Sequence, residues 1–416
     1  MAVDTPAKIA ILGAGPIGLE AALYARYLGY EVDVFERGEI AAGVNNWGHV
    51  ELFTPFGMNS SPLAIAALQA QNPAGNFPKA DELLTGNQWR ERYLLPLAES
   101  DLLHGSIHLQ TTVVAVAKDS SQKTDSPGSE DRGDELFRVL VKNADGEERV
   151  ALANIVIDAT GVTTVPNHLG RGGIPAIGEE ACREFISYDI PKFDGHDREL
   201  YAGKKVLVVG RGYSAATSIV KLSEIAEQNE ETKIHWLTRP TGNESSVPIQ
   251  VIENDRLGTR TTLAEQSNAA AEKVERLANC FIESIKCQDG QLAVTLGGEH
   301  EGEFTFDRLI ANVGYRGDVS FTSEMQVHRC YATDGPIKLA VSLMSSESAD
   351  CLDQPAGEAE LLLNPEANFY ILGAKSYGRN SQFLLANGLK QIQQLFTIIG
   401  DREDLDLYET MKNLIQ

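Results

Sequence analysis

The chain has 416 residues, 43% of them hydrophobic and 23% charged, a globular composition long enough for two or three domains. A formal net charge of −23, from 36 basic against 59 acidic side chains, opposes nucleic acid and anionic membrane surfaces as partners. No apolar run is long enough to span a bilayer, and "MAVDTPAK" leads into the first strand without a basic n-region or a cleavage site, so it is not expected to be a signal peptide; the odd count and irregular spacing of the five cysteines predict reduced thiols in a cytoplasmic protein.

"KIAILGAGPIGLEAALYARYLGYEVDVFERGE" (8–39) predicts strand, tight turn, helix, strand. Ile17, Ala21, Tyr24, Ala25 and Leu28 recur at helical spacing, and Gly29 stands where the helix ends. Gly13, Gly15 and Gly18 form G-x-G-x-x-G between the first strand and the helix. In such a turn the first glycine bends the chain and the second leaves room for a pyrophosphate. The third lets helix and strand pack closely, and the diphosphate meets open N–H groups at the helix start. Glu36, eighteen residues beyond Gly18, closes the second strand where a carboxylate grips ribose hydroxyls.

Residues 40–105 read as loop and helix. Within them "NNWGHVELFTPFGMNSSP" carries His49 and Trp47, its most chemically capable side chains. His49 is a candidate proton donor, against the alternative of a partly buried hydrogen-bonding histidine. His104 and His108 lie four apart, but Gly105 and Ser106 separate them and a strand follows, so no metal site is expected. Residues 107–157 predict a small antiparallel meander, interrupted at 120–134 by "SSQKTDSPGSEDRGD", read as an exposed, mobile hairpin loop.

After a loop-like stretch to Tyr201 the opening pattern returns in "KKVLVVGRGYSAATSIVKLSEIAEQ". Gly210, Gly212 and Ala215 occupy the three fingerprint positions, with Ser214 among the first helical residues. The next strand, "IHWLTRP", ends in Thr238 and Arg239 rather than an acid. A guanidinium binds a 2′-phosphate that a carboxylate would repel, so the second turn reads as a site for NADPH and the first as one for FAD. A solvated Arg239 would instead leave NADH, or no nicotinamide, at the second turn. Hairpin strands and the core strand of "LIANVGYRGD" follow. "NFYILGAKSYGRNSQFLLANGLKQIQQLFTIIG" then gives a strand, a glycine-containing loop and a long helix. Cys182, Cys280, Cys287, Cys330 and Cys351 show neither C-x-x-C nor C-x4-C spacing, and reduced thiols are expected.

These motifs resemble the two-dinucleotide-binding-domain flavoproteins, the superfamily of thioredoxin reductase, the disulfide reductases, flavin-containing monooxygenases and the lysine and ornithine N-hydroxylases. The resemblance covers almost the whole chain. "GAGPIG" with Glu36 is similar to the FAD fingerprint, and "IVIDATG" to the ATG motif, with Thr160 and Gly161 at the crossover. "VVGRGYSAA" is similar to the NADPH fingerprint, "LIANVGYRGD" with Gly314 to the second crossover, and "NFYILGAKSYG" with Gly373 to the final FAD motif.

The resemblance implies an α/β fold of two Rossmann-like, three-layer ββα domains, the FAD domain split by the NADPH domain. Residues 1–195 would form the first part of the FAD domain, 196–310 the NAD(P)H domain, and 311–416 the returning FAD segment. It implies that the C-terminal helix aims its N-terminus, with Ser381 and Gln382, at the flavin. It also departs from the family pattern. The Gly-Asp of many final motifs is Gly373-Ala374 here, followed by Lys375, which either lies near the flavin and favours its anionic reduced form or sits at the surface. The Baeyer–Villiger fingerprint is not matched, because His196 follows Phe193 and Gly195 too early.

The expected function is an FAD-dependent, NADPH-consuming oxidoreductase, monooxygenase-like, oxidising a small soluble substrate through reduced flavin and a C4a-(hydro)peroxide. One alternative is a reductase passing electrons to a quinone, a small disulfide or a partner protein. Another is a flavin-binding redox sensor. A homo-oligomer is compatible with each. Residues 45–72 and 170–191 are expected to carry specificity.

Overall fold

The computed structural model describes residues 3–240, 247–345, 352 and 358–415. Cys351 lies outside them. The chain forms two compact units, one of Met1–Val165 with Arg316–Gln416 and one of Pro166–Tyr315.

The first segment runs β1 (Lys8–Leu12), α1 (Pro16–Tyr27), β2 (Glu31–Phe35), α2 (Ala42–Asn46), α3 (Pro62–Gln71), α4 (Gly86–Trp89), α5 (Leu95–Ala98), β3 (Ile107–His108), β4 (Thr112–Lys118), β5 (Phe137–Lys142), β6 (Glu148–Ala153), β7 (Ile155–Asp158) and β8 (Val165–Pro166). The second unit contributes β9 (Ile186–Ser187), α6 (Arg198–Tyr201), β10 (Lys205–Val209), α7 (Tyr213–Gln228), β11 (Lys233–Thr238), α8 (Gly258–Ala270), β12 (Glu275–Ala278), β13 (Cys280–Gln288), β14 (Gln291–Gly298), β15 (Gly302–Phe306) and β16 (Arg308–Ala311), leading to β17 (Tyr315–Arg316). The chain then returns with α9 (Ile337–Met344), β18 (Phe369–Ile371), α10 (Leu385–Gly400) and α11 (Leu407–Ile415).

In the first unit a sheet of order β18-β7-β1-β2-β3, parallel throughout, is buried on both faces. Alternation along β1 divides the core. Ile9 and Ile11 pack with helices α1, α3 and α10, while Ala10 and Leu12 pack with Val116, Phe137, Val139 and Ala151 of the antiparallel sheet β4-β5-β6. Gly388 brings α10 close to α1, since a Cβ there would collide with Ile17. The strand at 107–108 belongs to the parallel sheet, paired Val34 to Ile107, so the meander proper covers Thr112–Ala153.

The second unit repeats the plan. Its sheet has the order β12-β11-β10-β16-β9. Val206 and Val208 face α7 and α8 through Ala215, Ile219, Leu222 and Ala264, while Leu207 and Val209 face the β13-β14-β15 layer through Ile282, Val294 and Phe306. Two Rossmann-like three-layer units, the first interrupted by the second, are therefore the architecture of the chain. Residues 166–195 pack with the second unit, because β9 extends its sheet beside β16.

Two expectations are corrected. The 120–134 loop is exposed along most of its length but is anchored. Arg132, 1% exposed, holds Glu366 with two hydrogen bonds (3.0 and 2.9 Å) and donates to the carbonyls of Gln122 and Asp125. Gln326 adds bonds to Lys123 O, Asp125 O and Gly128 N. A guanidinium presents five donors, and the four bonds that Arg132 makes fix what composition alone makes look loose. Nor are all thiols reduced: Cys182 and Cys287 are joined as a disulfide, whereas Cys280 and Cys330 are buried free thiols.

Candidate cofactor sites

In each unit the chain reverses direction across the sheet beside the first strand of its βαβ motif. Crevices at such switch points, outside the carboxyl ends of the strands, are where open α/β sheets bind ligands. The first lies between β1 and β7, the second between β10 and β16.

The residues at the first crevice divide into those the fold requires and those it does not. Gly13 has φ +96°, donates its N–H to Phe35 O (2.8 Å), and would place a Cβ 2.9 Å from Ala159 O. A Cβ on Gly18 would strike the Gly13 carbonyl. Gly15 differs: it caps α1 with ordinary backbone angles (φ −77°, ψ −178°), and a Cβ there would meet no atom of the described residues within 4 Å. Packing therefore does not explain this glycine, and the open space above it suits a group that approaches the α1 N-terminus. Glu36 is positioned by its own turn. Its Oε2 accepts the Ala14 N–H and its Oε1 the Gly38 N–H, each at 2.8 Å, which leaves lone pairs on both oxygens for ribose hydroxyls.

At the end of β7 lies a buried polar cluster. Lys375 is 4% exposed, so it is not a surface residue. Its Nζ lies 2.6 Å from Asp158 Oδ2 and 3.0 Å from Thr160 Oγ1, and 4.4 Å from the centre of the Phe321 ring. Asp158 Oδ1 accepts both the Thr160 N–H (3.2 Å) and its hydroxyl (2.7 Å). The three side chains form a closed ring of bonds that fixes the Asp158–Gly161 turn. Gly161, at φ +69°, faces open space. Burial raises the Asp318 pKa, but Ser320 hydrogen bonds and the charges of Lys375 and Arg37 hold it below the usual carboxylate range. Gly373 donates its N–H to the buried Gln391 Oε1 (2.9 Å), and Gln391 in turn donates to Ser376.

The remaining expected residues lie as follows. Helix α10 begins at Leu385, about one turn later than expected, so Ser381 and Gln382 precede it. Gln382 N–H bonds Asn380 Oδ1. His49 is half-buried in the turn after α2, and the adjoining Gly48 carbonyl accepts the Asn87 N–H (2.7 Å). His108 pairs with Asp33 at 2.9 Å.

The second crevice follows the same logic. Gly210 has φ +144°, and a Cβ there would strike Asn312 O, as one on Gly13 would crowd Ala159 O. Gly212 caps α7 at φ −99° and ψ 179°, and its Cβ would meet no atom of the described residues within 4 Å. Ala215 is fully buried, Ser214 is exposed in the first turn of α7, and Gly314, at φ +80°, accepts the Asn167 N–H at its carbonyl (2.9 Å). Arg239 is exposed just past the end of β11. Sequence reasoning missed two further guanidiniums. Arg211 sits inside the turn, and Arg276 on β12 has its pKa lowered by burial and by the Arg211 charge. Arg211 was legible as the middle of G-R-G. Arg276, in a four-residue strand far along the chain, carried no local signal.

The sequence pattern of the pyridine nucleotide-disulphide oxidoreductase family matches residues 8–43. No curated protein sequence matches the chain significantly. Among solved structures, the bacillithiol disulfide reductase of Bacillus cereus superposes with a TM-score of 0.66 at 19% identity, over 95% of this chain and 99% of that one. An ornithine N-hydroxylase of Kutzneria sp. 744, described with reduced FAD, NADP+ and L-ornithine, gives 0.62 at 15% identity over 96% and 100%. The thioredoxin reductase of T. acidophilum gives 0.57 at 15% over 94% and 97%. The fold is the one these flavoproteins share. No helix among the described residues is long and apolar enough to cross a membrane.

Proposed function

We propose that this chain is an FAD-dependent oxidoreductase that consumes NADPH and oxidises a small soluble molecule in the manner of a monooxygenase. The observation that carries the two-cofactor reading is the pair of middle glycines, Gly15 and Gly212. Each lies at the N-terminus of a helix longer than eight residues, where a Cβ would meet no atom of the described residues within 4 Å. FAD would lie with its diphosphate over Gly15 and its ribose at Glu36. NADPH would lie over Gly212 with its 2′-phosphate toward Arg239, Arg211 and Arg276. The flavin, when bound, supplies the two-electron and oxygen chemistry.

The chain's own residues bind and orient. The N–H groups that open α1 and α7 receive diphosphate oxygens. Glu36, held by Ala14 and Gly38, accepts hydrogen bonds from ribose hydroxyls without moving. The Lys375–Asp158–Thr160 ring keeps the Asp158–Gly161 turn in place and contributes a cation whose charge Asp158 largely balances. His49 is the candidate that moves a proton, at its imidazole.

A reductase reading keeps a place because proteins of this fold include both disulfide reductases and hydroxylases. Against it stands the lack of C-x-x-C or C-x4-C spacing. The test is isotopic. With 18O-labelled dioxygen and NADPH, a monooxygenase incorporates one labelled atom into the product of a responsive substrate. A protein that instead reduces a quinone or a disulfide under anaerobic conditions, and never incorporates label, is a reductase. One that binds FAD and fails to oxidise NADPH overturns both.

A further inference from the structure

Of the cysteines among the described residues, Cys182, Cys280 and Cys330 are buried. Cys287, near the end of β13, is exposed. It is joined to Cys182, whose residue is 1% exposed, across a Cα–Cα distance of 5.6 Å and a sequence separation of 105 residues. One residue of the bridge is therefore exposed and the other is buried.

The segment bearing Cys182 does not depend on the bridge for its position. Ile177 lies across β13, its N–H bonding Glu283 O (3.1 Å) and its carbonyl accepting the Ile285 N–H (2.7 Å). Glu179, 3% exposed, gathers the same segment. It accepts the N–H groups of Leu169 (3.2 and 3.1 Å) and Ala176 (2.8 Å) and the Tyr188 hydroxyl (2.5 Å). The Cys182 N–H is itself bonded to Gly178 O (3.2 Å). With the strand and the Glu179 hub in place, the two thiols stay opposed when the sulfur–sulfur bond is broken, and the bond can form again without a search.

We infer that Cys182 and Cys287 are a reversible dithiol–disulfide exchange site, open to low-molecular-weight thiols and their disulfides at Cys287 alone. In the reducing direction a small thiolate attacks Cys287 Sγ. A mixed disulfide forms there, the Cys287–Cys182 bond breaks, and the electron pair leaves on Cys182, which takes up a proton. A second small thiolate attacks the sulfur of the first, releasing the oxidised small disulfide and the Cys287 thiolate. Two small thiols are oxidised and one protein disulfide is reduced. Oxidation runs the same steps backward, with Cys182 as the buried resolving thiol. Exchange of this kind requires access for the attacking thiolate, and of the bridged pair Cys287 is the exposed residue. The inference goes beyond the reaction proposed above and does not depend on it.

The test uses the full chain, equilibrated in mixtures of glutathione and oxidised glutathione, then alkylated, digested and mapped by mass spectrometry. The Cys182 and Cys287 peptides should be joined in oxidising mixtures and separately alkylated in reducing ones, with unchanged circular dichroism. Cys182→Ser should trap glutathione on Cys287, whereas Cys287→Ser should leave Cys182 unmodified in the folded protein. Three results overturn the inference. The joined peptide never forms; or it resists glutathione until denaturant is added, marking a static staple; or glutathione reaches Cys182 in folded Cys287→Ser.

Discussion

Gly15 and Gly212 hold equivalent places in their two turns: each caps a helix at negative φ, and a Cβ on either would touch no atom of the described residues within 4 Å. Alanine is therefore sterically and conformationally allowed at both. Gly15→Ala and Gly212→Ala should fold with unchanged or slightly raised stability, by up to about 1 kcal/mol. Gly15→Ala should be purified without bound flavin, and Gly212→Ala should keep flavin but lose reduction by NADPH. Gly13→Ala, at φ +96° and 2.9 Å from Ala159 O, should lose stability as well as flavin. Denaturation curves and absorption spectra of the three variants read this directly.

Removing one partner of the Lys375–Asp158 pair strands a charge in a buried site. Lys375→Met should cost on the order of 3–5 kcal/mol, measured by urea unfolding. Adding Asp158→Asn should recover part of that loss, because the stranded carboxylate is gone. A double variant no more stable than the single would mean that the pair is not coupled as its 2.6 Å separation requires.

Arg239→Ala should weaken NADPH about tenfold to a hundredfold, the worth of a charge-assisted contact of roughly 1.5–3 kcal/mol, and leave NADH nearly unaffected. Arg211→Ala and Arg276→Ala should shift the same ratio. Binding titrations with both nucleotides decide it, and equal effects on the two would remove the 2′-phosphate assignment.

Glu20 gives a pH dependence of defined sign. It is 1% exposed and accepts the Tyr93 hydroxyl at Oε1 (2.6 Å), while its Oε2 is buried without a hydrogen-bond partner. Burial raises its pKa from 4.5 to about 7, against the hydrogen bonds of Tyr93 and Ser61. The native state thus keeps a proton that the unfolded chain releases near 4.5, and stability falls as pH rises between these values. Glu20→Gln should be more stable than the parent above pH 7, by on the order of 3 kcal/mol, with the advantage vanishing toward about pH 4. Parallel pH–stability curves would refute this.

Arg132→Met should release the 120–134 loop from Glu366. Limited proteolysis should then cut within the loop, where the parent resists, before either unit unfolds.

The local motifs were legible because a tight turn must be written in adjacent residues. Gly13, Gly15, Gly18 and Glu36, and again Gly210 and Gly212, announce their geometry within a single βαβ motif. What was not legible joins distant positions. Lys375 and Asp158 are 217 residues apart, and Arg132 and Glu366 234. A lysine after a glycine turn reads equally as a flavin neighbour or a surface residue, and an arginine in a Ser- and Asp-rich stretch as solvated, until the fold supplies the acid of each. The same holds for Cys182 and Cys287, whose spacing matches no short motif although the 170–185 segment lies along β13.

The split of the first unit also orders events during synthesis. Pro166–Tyr315 is continuous and can fold once it clears the ribosome, because its sheet draws on no later residue. The first unit must wait: its edge strand β18 and the core-filling helix α10 emerge late, leaving the outer side of β7 uncovered and the helix-facing side of β1 covered in part, by α1 and α3, until then. A nascent chain stalled before Phe369 therefore carries one finished body and one adhesive, half-built sheet. It is at this stage that the protein is most exposed to aggregation and most in need of a chaperone.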